Sequence, residues 1–135
     1  LWVDNNEGVL GGPFDRSVRR MLARLFPAES VQTIKSQHVL HKTFYLVDRF
    51  AGRVLLKPYV EGILQGKRVM VLYTSNDMAG AYERDNFGNW LHVLQGGKRQ
   101  REMAFRFGIN VIMYALCLDY KGDQVHIPFI LQRRD

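Results

Sequence analysis

The sequence predicts an α/β domain. Three stretches carry that expectation: a continuous apolar, β-rich run at 68–74 (Arg-Val-Met-Val-Leu-Tyr-Thr), an amphipathic helical repeat at 14–25, and a second long helical stretch at 98–117. Strand-like and helix-like segments alternate along 135 residues, a length that suits one domain over 1–135. Apolar residues make up 47% and charged residues 24%, which excludes disordered, collagen-like and low-complexity classes.

Each element has its own signal. Residues 1–4 (Leu-Trp-Val-Asp) read as a buried strand already under way, ending in the polar group Asp4-Asn5-Asn6-Glu7. A Gly-rich loop follows over 8–13. Phe14, Val18, Met21, Leu22 and Leu25 then recur at helical spacing and define one apolar face. Pro13 suits the first turn, Asp15 favours the positive helix start, and Pro27 ends the helix. Residues 31–35 predict a short strand, 43–47 a helical turn, 59–64 a strand, and Gln65-Gly66-Lys67 a tight turn. The run at 68–74 is the strongest strand and again ends in a polar group, Ser75-Asn76-Asp77. Residues 78–97 read as irregular. The helix at 98–117 is basic in its first half and apolar nearly all round in its second, the pattern of a buried helix. Gly108 in it predicts close approach of another element. A turn at 119–123 and an extended edge segment at 125–131 complete the reading.

Candidate sites follow from the strand ends, because ligands of open α/β sheets collect beyond the carboxyl ends of the strands. Asp4, Asn5, Ser75, Asn76 and Asp77 are expected to open onto a common hollow. Asp4, Asp15 and Asp77 are the carboxylates able to hold Mg²⁺ or Ca²⁺ there, or to divide acid and base roles. The bland alternative is that Asp15 caps its helix while Asp4 and Asp77 accept loop N–H bonds. Arg16, Arg19 and Arg20, behind the Gly-rich loop, are placed to receive a phosphate or carboxylate, or else to form a solvated helix face. The loop lacks the terminal Gly-Lys-Ser/Thr of a phosphate loop. His38 and His41 stand three apart without a His-Glu-x-x-His pattern, so no metal and no cofactor is expected, and His38 is read as an N-cap or loop anchor.

A resemblance adds to this reading. It rests on Leu1-Trp2-Val3-Asp4-Asn5, Phe14 to Arg20 (Phe-Asp-Arg-Ser-Val-Arg-Arg), Leu25-Phe26-Pro27, His38 and Phe44-Tyr45. Further along, Gly66-Lys67-Arg68-Val69, Tyr73-Thr74-Ser75-Asn76-Asp77, Gly108-Ile109-Asn110-Val111 and Tyr114-Ala115-Leu116 continue it. In order and spacing this set resembles the bacterial domain-of-unknown-function family numbered 4159. The resemblance implies a three-layer, flavodoxin-like sandwich of the class I glutamine amidotransferase kind, of which this chain is the C-terminal part, with the first strands upstream of Leu1. The family's usual Asp-Asp, His-Pro and Trp-Glu pairs stand here as Asp4-Asn5, His38-Val39 and Tyr82-Glu83, and Glu83 joins the candidate ligand-binding residues on that ground. The amidotransferase nucleophile elbow is implied at Asp4-Asn5-Asn6, where there is no thiol; Cys117 lies in the apolar half of a helix and reads as a buried structural thiol.

The expected function is a non-catalytic ligand- or protein-binding or scaffolding module, with no residue assigned a catalytic role. The alternative is a carboxylate-based hydrolase or carbohydrate-active enzyme using Asp4, Asp15 and Asp77. A third reading is a basic nucleic-acid binder, from 19 Lys and Arg against 13 Asp and Glu, a net charge of +6. The third is disfavoured because aromatic residues do not interleave with the basic runs at 98–101 and 132–134. The partner is an unidentified protein or small ligand, and no apolar run is long enough to cross a membrane. Family members imply a bacterial envelope setting, periplasmic or membrane-tethered.

Overall fold

The computed structural model describes residues 1–117. The turn expected at 119–123, the edge segment at 125–131 and the basic run at 132–134 lie outside the described residues. Four strands, β1 (Trp2–Asp4), β2 (Gln32–Thr33), β3 (Glu61–Gln65) and β4 (Arg68–Thr74), form one mixed sheet in the order β1-β4-β3-β2. Three α-helices accompany it: α1 (Pro13–Leu25), α2 (Met78–Tyr82) and α3 (Gly97–Cys117).

The strongest strand pairs on both sides. β1 runs parallel to β4, with Trp2 opposite Leu72 and Asp4 opposite Thr74. β3 and β4 form an antiparallel hairpin, and Gly66 takes a φ of +63° at its first turn position, where an L side chain is disfavoured. The segments at 1–4 and 68–74 therefore lie side by side as expected. β4 is interior, but β1 is an edge strand of the described sheet and only half-buried.

Period-two alternation along β4 splits the core into two faces. Val71 and Tyr73 point with Val3 and Ile63 toward Val18 and Leu22 of α1. Leu72 and Trp2 pack on the opposite face with Met78 and Ala81 of α2 and with Ala104, Phe107 and Tyr114 of α3. Helices thus cover both faces of the sheet. Phe107 is the centre of the larger cluster, meeting Trp2 and Phe50 edge-on at 5.9 and 5.8 Å.

Several expectations need correction. On α1 only Val18 and Leu22 of the apolar set are buried; Phe14, Met21 and Leu25 face solvent. The inward stripe instead includes Asp15, because a polar network runs along that side of the sheet. The helical turn expected at 43–47 is a 3-10 turn at Val39–Lys42, capped by His38, whose Nδ1 accepts the Leu40 N–H. The stretch at 78–97 is not wholly irregular, since Asp77 caps α2. The second half of α3 is not surrounded: Ile109, Ile112 (58% exposed) and Leu116 (61%) lie on its outer side. Cys117, expected to be buried, is half-exposed at the helix end. Gly108 does permit a close approach, because a Cβ there would stand 2.8 Å from the Tyr82 hydroxyl, which donates to the Ala104 carbonyl.

This packing sets an expectation for stability. Phe107→Ala should cost about 3–5 kcal/mol, the range for emptying a buried aromatic site. Ile112→Ser on the outer face of α3 should change stability by no more than about 0.5 kcal/mol. Urea unfolding of the two variants checks the contrast.

Candidate functional site

The exits of β1 and β4 meet. The Asn5 N–H donates to the Thr74 carbonyl at 2.8 Å, and the Asp77 N–H donates back to the Asn5 carbonyl at 3.2 Å. The polar groups that follow the two strands therefore form one cluster, with Asp4, Asn5, Ser75, Asn76 and Asp77 brought together.

Within it all the side chains but Ser75, whose buried hydroxyl has no hydrogen-bond partner among the described residues, are engaged by the chain itself. Asp4 Oδ1 accepts from the Thr74 hydroxyl (2.7 Å) and the Met78 N–H (3.0 Å), and Oδ2 accepts from the Ala79 N–H (2.9 Å). Asp4 thus holds the start of α2 from outside that helix. Burial pushes its pKa above the usual carboxylate value, against the pull of those bonds, and the nearby Asp77 charge adds to the rise. Asp77 sits at φ 53°, accepts the Gly80 N–H as the N-cap of α2, and pairs through Oδ2 with Arg53. Asn76 is fully buried. Its Oδ1 accepts from the Leu56 and Lys57 N–H groups, and its Nδ2 donates to the Phe50 and Lys57 carbonyls. Ser75 is buried beside the Tyr73 hydroxyl.

A second network runs along the α1 side of the sheet. Asn5 Nδ2 donates to the Tyr73 hydroxyl (3.1 Å), which donates to Asp15 Oδ1 (2.7 Å). Arg19 forks between Asp15 and Glu61, and Lys57 Nζ donates to Glu61 at 2.8 Å. Burial would raise Asp15 and Glu61, but the hydrogen bonds and cations around them outweigh it and hold both below their ordinary values. Burial, with Asp15 alongside, pushes Tyr73 up to about 12. Asp15 therefore joins the cluster only through Tyr73 and Asn5, and does not face Asp4 and Asp77 as a third open carboxylate. Arg16 lies outside, donating to the Gly11 carbonyl at 2.7 Å, and Glu83 is exposed just past α2. Among the described residues no three His, Cys, Asp or Glu side chains are grouped to hold a metal ion.

What the cluster supports is the loop at 48–58. Asn76 clamps it by four hydrogen bonds, Asp77 by Arg53, and Gln100 of α3 by a 2.7 Å bond to the Gly52 carbonyl. Gly52 has to be glycine here, since a Cβ would lie 2.4 Å from the Asn76 and Asp77 carbonyl oxygens. Between this loop and the start of α3 lies a cavity of about 230 Å³. Phe50, Leu55, Pro58 and Met103 form its apolar walls, and Asp48, Arg49 and Arg99 its polar rim. A larger hollow of about 550 Å³ lies between β1, β4 and α3, reaching Arg68, Val69 and Met70 at the opposite end of β4 from the strand exits.

Sequence reasoning missed Arg53, Lys57, Glu61, Tyr73 and Gln100. Alternation was the available signal for Tyr73, which must face opposite to Thr74 and so toward α1. Arg53, Lys57 and Glu61 lie within nine residues, but the partners that join Arg53, Glu61 and Gln100 to the site (Asp77, Arg19 and Gly52) are 24 to 48 residues away, where no local pattern reaches.

A family model, described as a domain of unknown function (DUF4159), matches residues 1–116. The chain belongs to the DUF4159 family. The match spans every element from β1 through all but the last residue of α3, so the strand exits and the loop they carry lie within the DUF4159 domain. No curated protein matches the chain. No helix among the described residues is long and apolar enough to cross a membrane.

Two expectations follow. Asn76→Ala strands the amides of Leu56 and Lys57 and should cost at least about 2 kcal/mol; hydrogen exchange of those two amides should accelerate together. Stability should also fall as pH drops. Burial lowers His41 from 6.5 to about 4, so the unfolded chain binds the extra proton between those values. Asp15 and Glu61, held low, contribute fully above the ordinary carboxylate range and lose that contribution as pH falls through it. Thermal melts across pH should show both limbs, and His41→Gln should flatten the upper one.

Proposed function

We propose that this domain is a non-catalytic binding module, built on a flavodoxin-like, amidotransferase-like frame within a bacterial envelope protein, periplasmic or membrane-tethered. Its ligand occupies the cavity between loop 48–58 and the start of α3. One observation carries the reading: of the polar residues at the strand exits, Asn76 and Asp77 spend their hydrogen-bonding capacity on holding that loop, and the hollow beside it has apolar walls with arginines at its edge. A volume near 230 Å³ is below the range of drug-sized pockets. It suits a compact aromatic or short aliphatic body carrying one carboxylate or phosphate, for which Arg49 and Arg99 supply the charge.

The chemistry of the lining argues against turnover. Cys117 ends α3 while the cavity adjoins its beginning, about 30 Å away along a 21-residue helix. Asp48 is the one carboxylate among the described lining residues, and paired-acid hydrolysis needs two. Asp4 and Asp77, the carboxylates of the alternative reading, have both oxygens engaged by in-chain donors.

The test is titration of the whole chain with benzoate and with phenyl phosphate, followed by amide chemical shifts. Shifts are expected at Ala51, Leu55, Gly96 and Met103, and Arg49→Ala with Arg99→Ala should weaken binding about tenfold or more. Absence of shifts in this region, or shifts confined to Asp4 and its neighbours, overturns the proposal.

A further inference from the structure

Residues 83–96 connect α2 to α3, and of them only Gly96 lines the cavity. Arg84 pairs with Trp90 in an isolated bridge. Between them the Asp85 carboxylate accepts N–H bonds from Phe87 and Asn89, each 2.9 Å, and Gly88 closes the turn at φ +83°. This ordered turn presents Phe87 to solvent at 90% exposure. Val93 is 98% exposed and Leu91 half-exposed on the return. Three large hydrocarbon side chains within seven residues are thus left in water on a hydrogen-bonded support.

Next to this turn stand two cations that no carboxylate among the described residues neutralises. The Arg84 guanidinium stands 3.9 Å and that of Arg101 4.2 Å from the centre of the Trp90 ring, and Phe105 closes on the same indole. Arg84 donates to the Gly88 carbonyl, and Arg101 donates through Nη2 to the His92 carbonyl. Arg101 is only 8% exposed, yet its Nη1 has no hydrogen-bond partner. Among the described residues no carboxylate pairs with either arginine. The first turn of α3 carries Lys98 and Arg99 and no acidic residue, the reverse of what the helix dipole favours. The covered Arg101 guanidinium has no anion beside it among the described residues, a costly arrangement that a phosphate arriving at the exposed Arg84 next to it eases.

We propose that residues 84–93 dock on an anionic membrane surface, with the exposed Arg84 taking a lipid phosphate, Arg101 behind it adding its charge, and Phe87, Leu91 and Val93 entering the interface. Aromatic and aliphatic tips beside paired arginines match both layers of such a surface, the apolar boundary and the charged headgroups. A nucleic-acid strand matches them less well: Leu91 and Val93 offer no stacking face, and the Trp90 indole already packs against guanidinium groups. This surface goes beyond the ligand cavity, and neither depends on the other.

Sedimentation of the whole chain with vesicles tests it. Vesicles of phosphatidylcholine mixed with phosphatidylglycerol should bind at least about tenfold more tightly than phosphatidylcholine alone, and added salt should erode the difference. Phe87→Ser with Val93→Ser should weaken binding about tenfold with the unfolding curve unchanged, because both side chains are exposed. Arg84→Gln should weaken it about fivefold, and serves where Arg101→Gln fails to fold. Equal affinity for the two vesicle compositions overturns the proposal, as does binding that the Phe87 and Val93 changes leave intact. Binding of inorganic phosphate through Arg84 without vesicle binding assigns the pair to a soluble anion and overturns the membrane reading. Tighter binding of a single-stranded oligonucleotide than of the anionic vesicles overturns it too.

Discussion

The parallel pairing of β1 with β4 is the constraint from which the rest of the site follows. In a parallel pair both chains leave the sheet at the same end, so their polar exits must share space. The two backbone bonds that continue the ladder past Asp4 and Thr74 bring Asn5 against Asp77. From there each residue has one neighbour it can serve. Asp4 reaches the open N–H groups of α2, Asp77 caps the same helix, and Asn76 is turned inward under loop 48–58. A buried amide with both its acceptor and its donor sides filled by backbone groups holds a loop as firmly as a short strand pairing would, without a side-chain pattern of its own. The cavity beside loop 48–58 is thus a second tier, set on loop residues that the strand ends support.

Much of the frame was legible because its signals are local. The apolar run of β4, the Gly66 turn and the helical spacing of α1 and α3 each report burial or chain reversal over a few residues. The strand exits were also legible, since polar clusters after buried strands are local too. The tier that frames the cavity was not. Loop 48–58 has no periodicity, and its role is set by Asn76, about twenty residues ahead, and by Gln100, more than forty residues ahead. Even the apolar stripe of α1 misled, because Asp15 goes inward where Tyr73 and Arg19 wait for it, while Phe14, Met21 and Leu25 go out. A carboxylate follows its hydrogen-bond partners, and those partners sit on distant strands.

The same long-range pairing explains how the charge excess is distributed. Most cations near the sheet have acids to answer them: Arg53 has Asp77, Arg19 has Asp15 and Glu61, and Lys57 has Glu61. Those pairs are partly buried and hydrogen-bonded, so their work is to hold α1, β3 and loop 48–58 in register. A candidate list drawn from charged residues at strand ends therefore collects the groups that the fold has already used.

Unanswered charge is a better pointer. Arg84 and Arg101 share one indole, Arg101 Nη1 has no acceptor, and burial with the neighbouring Arg84 charge lowers the Arg101 pKa from its ordinary value. A fold that neutralises Arg19, Arg53 and Lys57 has acids available, yet the loop bearing Phe87 and Val93 commits its own Asp85 to turn N–H groups instead. The turn is thereby stiffened while no carboxylate among the described residues pairs with the cations beside it. Exposed apolar tips beside a covered Arg101 that no described carboxylate pairs with cost stability in water, and a surface both apolar and anionic is one that would ease both costs together.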